Sequence, residues 1–109
     1  MTMVTRRTAL LGLSAATVAV ALPASAATDH PVTMQGMKFN PAELTVKVGD
    51  TVTFTNMDAV PHTGSAKDGS FDTGKLSKGK SGTVQIAAAG DIAFFCKIHP
   101  SMKGIIHAA

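Results

Sequence analysis

Leu44-Thr45-Val46-Lys47-Val48-Gly49-Asp50-Thr51-Val52-Thr53-Phe54-Thr55 decides the fold class of this 109-residue chain. Apolar and polar residues alternate with period two on both sides of Gly49-Asp50, the pattern of two half-buried strands about a turn. The pair reads as a hairpin or as a corner where the chain switches sheets. The same pattern extends outward. Thr83-Val84-Gln85-Ile86 and Ile92-Ala93-Phe94-Phe95 flank the turn Ala89-Gly90-Asp91, Gly104-Ile105-Ile106-His107 closes the chain as a last strand, and a shorter first strand runs from Val32 to Met34. Short strands at intervals of about ten residues, with no helical periodicity, predict an all-β sandwich. Between Asn56 and Gly82 the alternation dissolves into a segment rich in Gly, Ser, Asp and Lys, read as a long loop with two short edge strands. A loop that long in a small domain is usually functional, and this one carries Val60-Pro61-His62 near its start.

Residues 1–26 read as an address. Arg6 and Arg7 precede an uncharged stretch from Thr8 to Ala27, Pro23 breaks any helix, and Ala24-Ser25-Ala26 presents the small-x-small pattern of a cleaved export signal. Cleavage after Ala26 leaves one functional domain, 27–109, in the periplasm. Thr5-Arg6-Arg7-Thr8-Ala9-Leu10-Leu11 is similar to a twin-arginine signal, and ordinary Sec export fits as well. The competing reading is a retained anchor, since the uncharged stretch is long enough to span a bilayer; only then is the membrane a partner. Charge stands at 10 Lys plus Arg against 7 Asp plus Glu. Without Arg6 and Arg7 the domain is close to neutral and no Lys/Arg cluster is expected to make a basic patch, so neither nucleic acid nor a membrane surface is expected as partner. With no Trp, no Tyr and five Phe, absorbance at 280 nm should be low.

A single cysteine in an exported protein cannot close an intramolecular disulfide, so Cys96 is a free thiol, an intermolecular link or a metal ligand. Its neighbours decide among these. Phe94-Phe95-Cys96-Lys97-Ile98-His99-Pro100-Ser101-Met102-Lys103-Gly104 sets a thiolate, an imidazole and a thioether three residues apart where one strand ends and the next begins. Soft sulfur favours Cu(I), imidazole accepts either oxidation state, and a weak axial thioether raises the reduction potential. His62, on the separate loop, completes a His₂Cys plane with Met102 on its axis.

Cys96-x-x-His99-Pro100-x-Met102 resembles the short ligand loop of the cupredoxin family, and within it that of the amicyanins; plastocyanins and pseudoazurins, wider relatives, have a longer gap between His and Met. Asp50-Thr51-Val52-Thr53-Phe54 leading into Ala59-Val60-Pro61-His62 is similar to the family's strand and loop before the first copper histidine. The resemblance implies a Greek-key β-sandwich with the metal site at one end. It also implies one type 1 copper cycling between Cu(I) and Cu(II), with His62, Cys96 and His99 as strong equatorial ligands and Met102 as the long axial one. Thr63 departs from the pattern, standing where many members have an Asn that ties the two ligand loops together, and a weaker clamp is expected there. Lys97-Ile98 differs from the residues common in amicyanins.

The implied function is one-electron transfer by a monomer, not an enzyme, between transient redox partners such as a dehydrogenase, a cytochrome c or an oxidase-like acceptor. The alternative is copper delivery or buffering with the same ligands. Hydrolysis by a Cys–His pair would need Cys96 to be an open nucleophile, against which Met102 argues. His99 is the expected electron port, set among Ala59, Pro61 and Pro100. Met34, Met37 and Met57 are expected as core filler, Met57 nearer the rim. His30 reads as a terminal-segment histidine, His107 as a surface residue of the last strand, and Asp68–Gly74 as a turn with Phe71 pinned to the core.

Overall fold

The alternation about Gly49-Asp50 resolves into a corner between two sheets. The structure, a computed structural model, describes residues 27–109; the expected export signal at 1–26 lies outside the described residues. The chain order is β1 Asp29–Met34, β2 Phe39–Asn40, β3 Glu43–Val46, β4 Thr51–Asn56, β5 Ser65–Ala66, β6 Ser81–Gln85, β7 Gly90–Phe95 and β8 Lys103–Ala108. One four-stranded sheet runs β2-β1-β4-β6 and the other β3-β8-β7-β5. β1 and β4 pair in parallel, as do β3 and β8, while the remaining neighbours are antiparallel. This is the all-β sandwich that the sequence predicts. β3 and β4 lie in different sheets, as do β6 and β7, so both turns are corners and neither is a hairpin.

The corner is built around a buried charge. Gly49 takes a positive φ of 97°, and Asp50, only 6% exposed, accepts hydrogen bonds from the Thr28 and Lys47 amides and contacts His30 Nε2 at 2.9 Å. These contacts, the Thr28 amide first, hold the Asp50 carboxyl down to about 2. His30, expected only as a terminal-segment histidine, thereby fastens the start of β1 to the corner.

Between the sheets every second residue turns inward: Val32 and Met34 from β1, Val52 and Phe54 from β4, Phe94 from β7 and Ile106 from β8 have no exposed surface. Phe54, Phe94 and Phe39 meet edge to face, with centroids 4.8–5.9 Å apart, and Phe71 packs on Phe54 at 6.0 Å, so the residue expected to pin the 68–74 turn does so.

Several sequence expectations need correction. β1 starts at Asp29, three residues before Val32, and the two-residue β2 was not expected. Of two edge strands in the long loop, one forms, β5; elsewhere that loop makes isolated bridges, His62 with Leu76 and Ser65 with Asp72. Met37 and Met57 are not core. They are 43% and 46% exposed, Met37 at a φ of 61° in the β1–β2 turn, because Met34 is the last inward residue before that turn.

Candidate metal centre

β4, β7 and β8 deliver the expected donors to one end of the sandwich. β4 ends at Asn56, whose buried side-chain amide donates to the Val60 and Leu76 carbonyls at 2.8 Å and whose Oδ1 accepts the Asp58 amide. That single side chain shapes the Met57–Pro61 loop. His62 then exchanges both backbone hydrogen bonds with Leu76, which fixes its position from the opposite strand of the loop. β7 ends at Phe95, and the Cys96–Met102 loop closes on itself: the Cys96 amide donates to the Met102 carbonyl at 3.0 Å and the Met102 amide to the His99 carbonyl at 2.9 Å.

Three of the four expected ligands converge. Among the described residues, His62, Cys96 and His99 form the group of three metal-ligating side chains whose donor atoms all lie within 4.8 Å. His62 Nδ1 is 3.2 Å from His99 Nδ1, and Cys96 Sγ is 3.8 Å from each. His62 and Cys96 are fully buried and His99 is half-buried. Met102, 2% exposed, is buried at the foot of the same loop.

The donor set fits a metal ion. A point equidistant from the three atoms lies about 2.1 Å from each, a normal length for a bond from a first-row metal to imidazole nitrogen. The His62 tautomer suits the task. Its Nε2 lies 2.8 Å from Asp58 Oδ2, a carboxylate that can only accept, so Nε2 carries the proton and Nδ1 turns a lone pair toward Cys96 and His99. Asp58 is itself held: its carboxyl is lowered to about 2, first by His62 and then by the Met37 and Gly36 amides that donate to it. The Thr63 and His99 amides both donate to Cys96 Sγ at 3.4 Å, one from each ligand loop.

Thr63 is the clamp between the two ligand loops. Besides its amide on Cys96 Sγ, its Oγ1 accepts the Lys97 amide at 2.9 Å and pairs with Ser65 Oγ at 3.0 Å. Ser65 donates to Asp72 Oδ1, and Asp72 returns to the ligand loop through Lys97 Nζ at 2.6 Å. The ring Thr63–Ser65–Asp72–Lys97 thus closes on the residue that follows the cysteine.

Sequence reasoning named the three side chains that converge, His62, Cys96 and His99, and missed Asp58, Asn56, Ser65 and Asp72. Asp58 carried a legible signal, a carboxylate four residues before a candidate metal histidine. The others take their roles from long-range contacts.

The family model for the Cupredoxin-like domain matches residues 8–108. The chain is 34% identical over 73 residues to the amicyanin of Paracoccus denitrificans, an alignment that covers 62% of this chain and 56% of that protein, little more than half of the relative's length. It is 34% identical over 100 residues to the chloroplastic plastocyanin of Tetradesmus obliquus, covering 81% and 69%. Among solved structures, a reduced single-site mutant of amicyanin superposes with a TM-score of 0.69 at 30% identity, over 79% of this chain and 87% of that one.

Proposed function

This chain belongs to the cupredoxin-like family, and we propose that it is an exported type 1 copper protein that passes single electrons between partner proteins in the periplasm. The observation that carries the reading is the largely buried triangle of His62 Nδ1, His99 Nδ1 and Cys96 Sγ, assembled with the His62 lone pair aimed inward.

In this reading His62, Cys96, His99 and Met102 would hold the copper. Copper, when bound, supplies the exchange of one electron between Cu(I) and Cu(II). The protein's task is to keep its ligands still during that exchange, because every bond that must bend or stretch raises the barrier. Asp58 fixes the plane of the His62 ring, Leu76 fixes its backbone, and Thr63 ties the Cys96 loop to the His62 loop. The Thr63 and His99 amides that donate to Cys96 Sγ hold the sulfur in place from both loops. With four protein ligands there is no open position for substrate or water, so a carrier is favoured over an enzyme. Residues 1–26 serve as the export signal and 27–109 as the copper domain. Both amicyanin and plastocyanin relatives support a carrier's role, in which contact with partners is brief.

The test is the visible spectrum of the protein loaded with one equivalent of Cu(II), beside Cys96→Ala. An intense band near about 600 nm, lost on reduction and in the variant, supports thiolate ligation of the blue-copper kind. Weak copper binding without that band would overturn the reading in favour of copper delivery.

A further inference from the structure

Five large apolar side chains stay at least 40% exposed among the described residues, and four of them, Met37, Met57, Val60 and Ile98, sit on the loops around the donor triangle. Those loops abut: the Gly36 and Met37 amides bond to Asp58, Asp58 bonds to His62, and Ile98 lies between Cys96 and His99. The half-buried His99 belongs to the same end. Apolar surface gathered in one place and rimmed by polar groups marks a contact site.

The rim is basic. This corrects the expectation of no basic patch: Lys75, Lys78 and Lys80 already stand close in the sequence, and the fold brings Lys38 and Lys103 to the same end. Lys38 follows Met37, Lys103 follows Met102, and Lys75, Lys78 and Lys80 lie on the segment whose Leu76 pairs with His62 and whose Gly79 and Lys80 pair with Asn56. All five are exposed. The two carboxylates at this end are engaged, Asp58 by His62 and Asp72 by Lys97, the one lysine among the described residues that forms an ion pair. The far end reverses the balance: Asp29, Asp50 and Asp91 lie on the strand starts and corner there with Lys47, Asp50 facing His30 and Asp91 facing His107. Near-neutral net charge therefore conceals a dipole along the sandwich.

We propose that the apolar patch of Met37, Met57, Val60 and Ile98 with its lysine rim is a docking surface for an acidic redox protein, one that carries carboxylates around its own electron port. This rests on the electron-carrier reading above and adds the chemistry of the partner. Charge complementarity selects the occupant. A second copy of this chain would set lysines against lysines, whereas an acidic rim is drawn in and oriented by the dipole before contact. The patch is small, which suits a complex that forms and parts quickly.

The experiment mixes the copper-loaded, reduced protein with an acidic and with a basic c-type cytochrome of similar potential, following one-electron reduction of the ferric haem by stopped flow. At about 10 mM salt the acidic cytochrome should react at least about tenfold faster, and the advantage should vanish by about 300 mM as the charges are screened. Lys75→Glu/Lys78→Glu/Lys80→Glu should reverse the preference and Lys47→Glu should leave it, with the visible band confirming that each variant is folded. Equal rates for the two cytochromes, a preference unchanged in the triple variant, or concentration-dependent dimers at low salt would each overturn the proposal. Reduction of neither cytochrome by protein that shows the band would instead overturn the carrier reading, and the docking proposal with it.

Discussion

Replacing Thr63 by Val keeps the shape of the side chain and removes its hydroxyl, which isolates the clamp. Thr63 is 5% exposed, so water cannot take over what the hydroxyl does. Two contacts go: the bond accepted from the Lys97 amide at 2.9 Å and the pairing with Ser65 at 3.0 Å. Ser65 keeps Asp72 as a partner, so its loss is small. The Lys97 amide loses its acceptor across a partly buried contact, and a donor left unsatisfied costs about 1–3 kcal/mol. For a domain of this size, about 2 kcal/mol lowers Tm by about 8–16 °C. The assay is denaturant and thermal unfolding of the metal-free protein, since bound copper would add its own stabilisation and hide the difference. Thr63→Ser, which keeps the hydroxyl and drops the methyl, should cost less than Thr63→Val. The reverse order, or a Val variant within about 0.5 kcal/mol of the parent, would show that Thr63 acts by packing and that the hydroxyl ring is not what joins the loops.

Three further outcomes are expected. Gly104→Ala places a Cβ on the Ala42 carbonyl oxygen and the Phe94 ring, neither of which can yield cheaply, and should lower unfolding free energy by about 3 kcal/mol or prevent folding. His107 is raised above its ordinary 6.5 by Asp91 first and then Glu43, which hold it between β7 and β3. The stability it contributes is full below 6.5 and lost as pH rises through the raised value, and His107→Asn should abolish that alkaline loss in urea titrations. Asp50 has the opposite sign: lowered from 3.8 to about 2, it contributes above 3.8 and loses its contribution as pH falls toward 2, so Asp50→Asn should flatten the acid limb of the same curve.

The fold was legible where burial on one face imposes period two. Leu44–Val46 and Thr51–Thr55 advertise their strands because every second side chain is needed between the sheets, and a slip of one residue would expose Val52 and Phe54. The sequence did not distinguish a hairpin from a corner at Gly49-Asp50, because both need a turn there. The choice depends on Asp50 reaching Thr28 and His30, contacts about twenty residues away in the chain. Met37 and Met57 misled for a related reason. An apolar residue beyond the last inward position of a strand carries no mark that it faces water, and only the turn held by Asp58 puts Met37 outside.

The centre divides along the same line. Cys96, His99 and Met102 share one loop, so their spacing is visible in the sequence, and His62 is conspicuous because few other histidines compete with it. Of the groups that make those donors useful, Asp58 is marked only by standing four residues before His62, and Ser65 and Asp72 look like parts of a polar turn. Their function exists only as geometry, in which Asp58 selects the tautomer of His62 and Thr63, Ser65 and Asp72 close a ring on Lys97. Ligand identity sets which metal can bind, and this less legible shell sets how rigidly it is held. A chain with the same Cys-x-x-His-Pro-x-Met loop but without Asp58 would therefore keep the donors and lose the control over which nitrogen of His62 faces them.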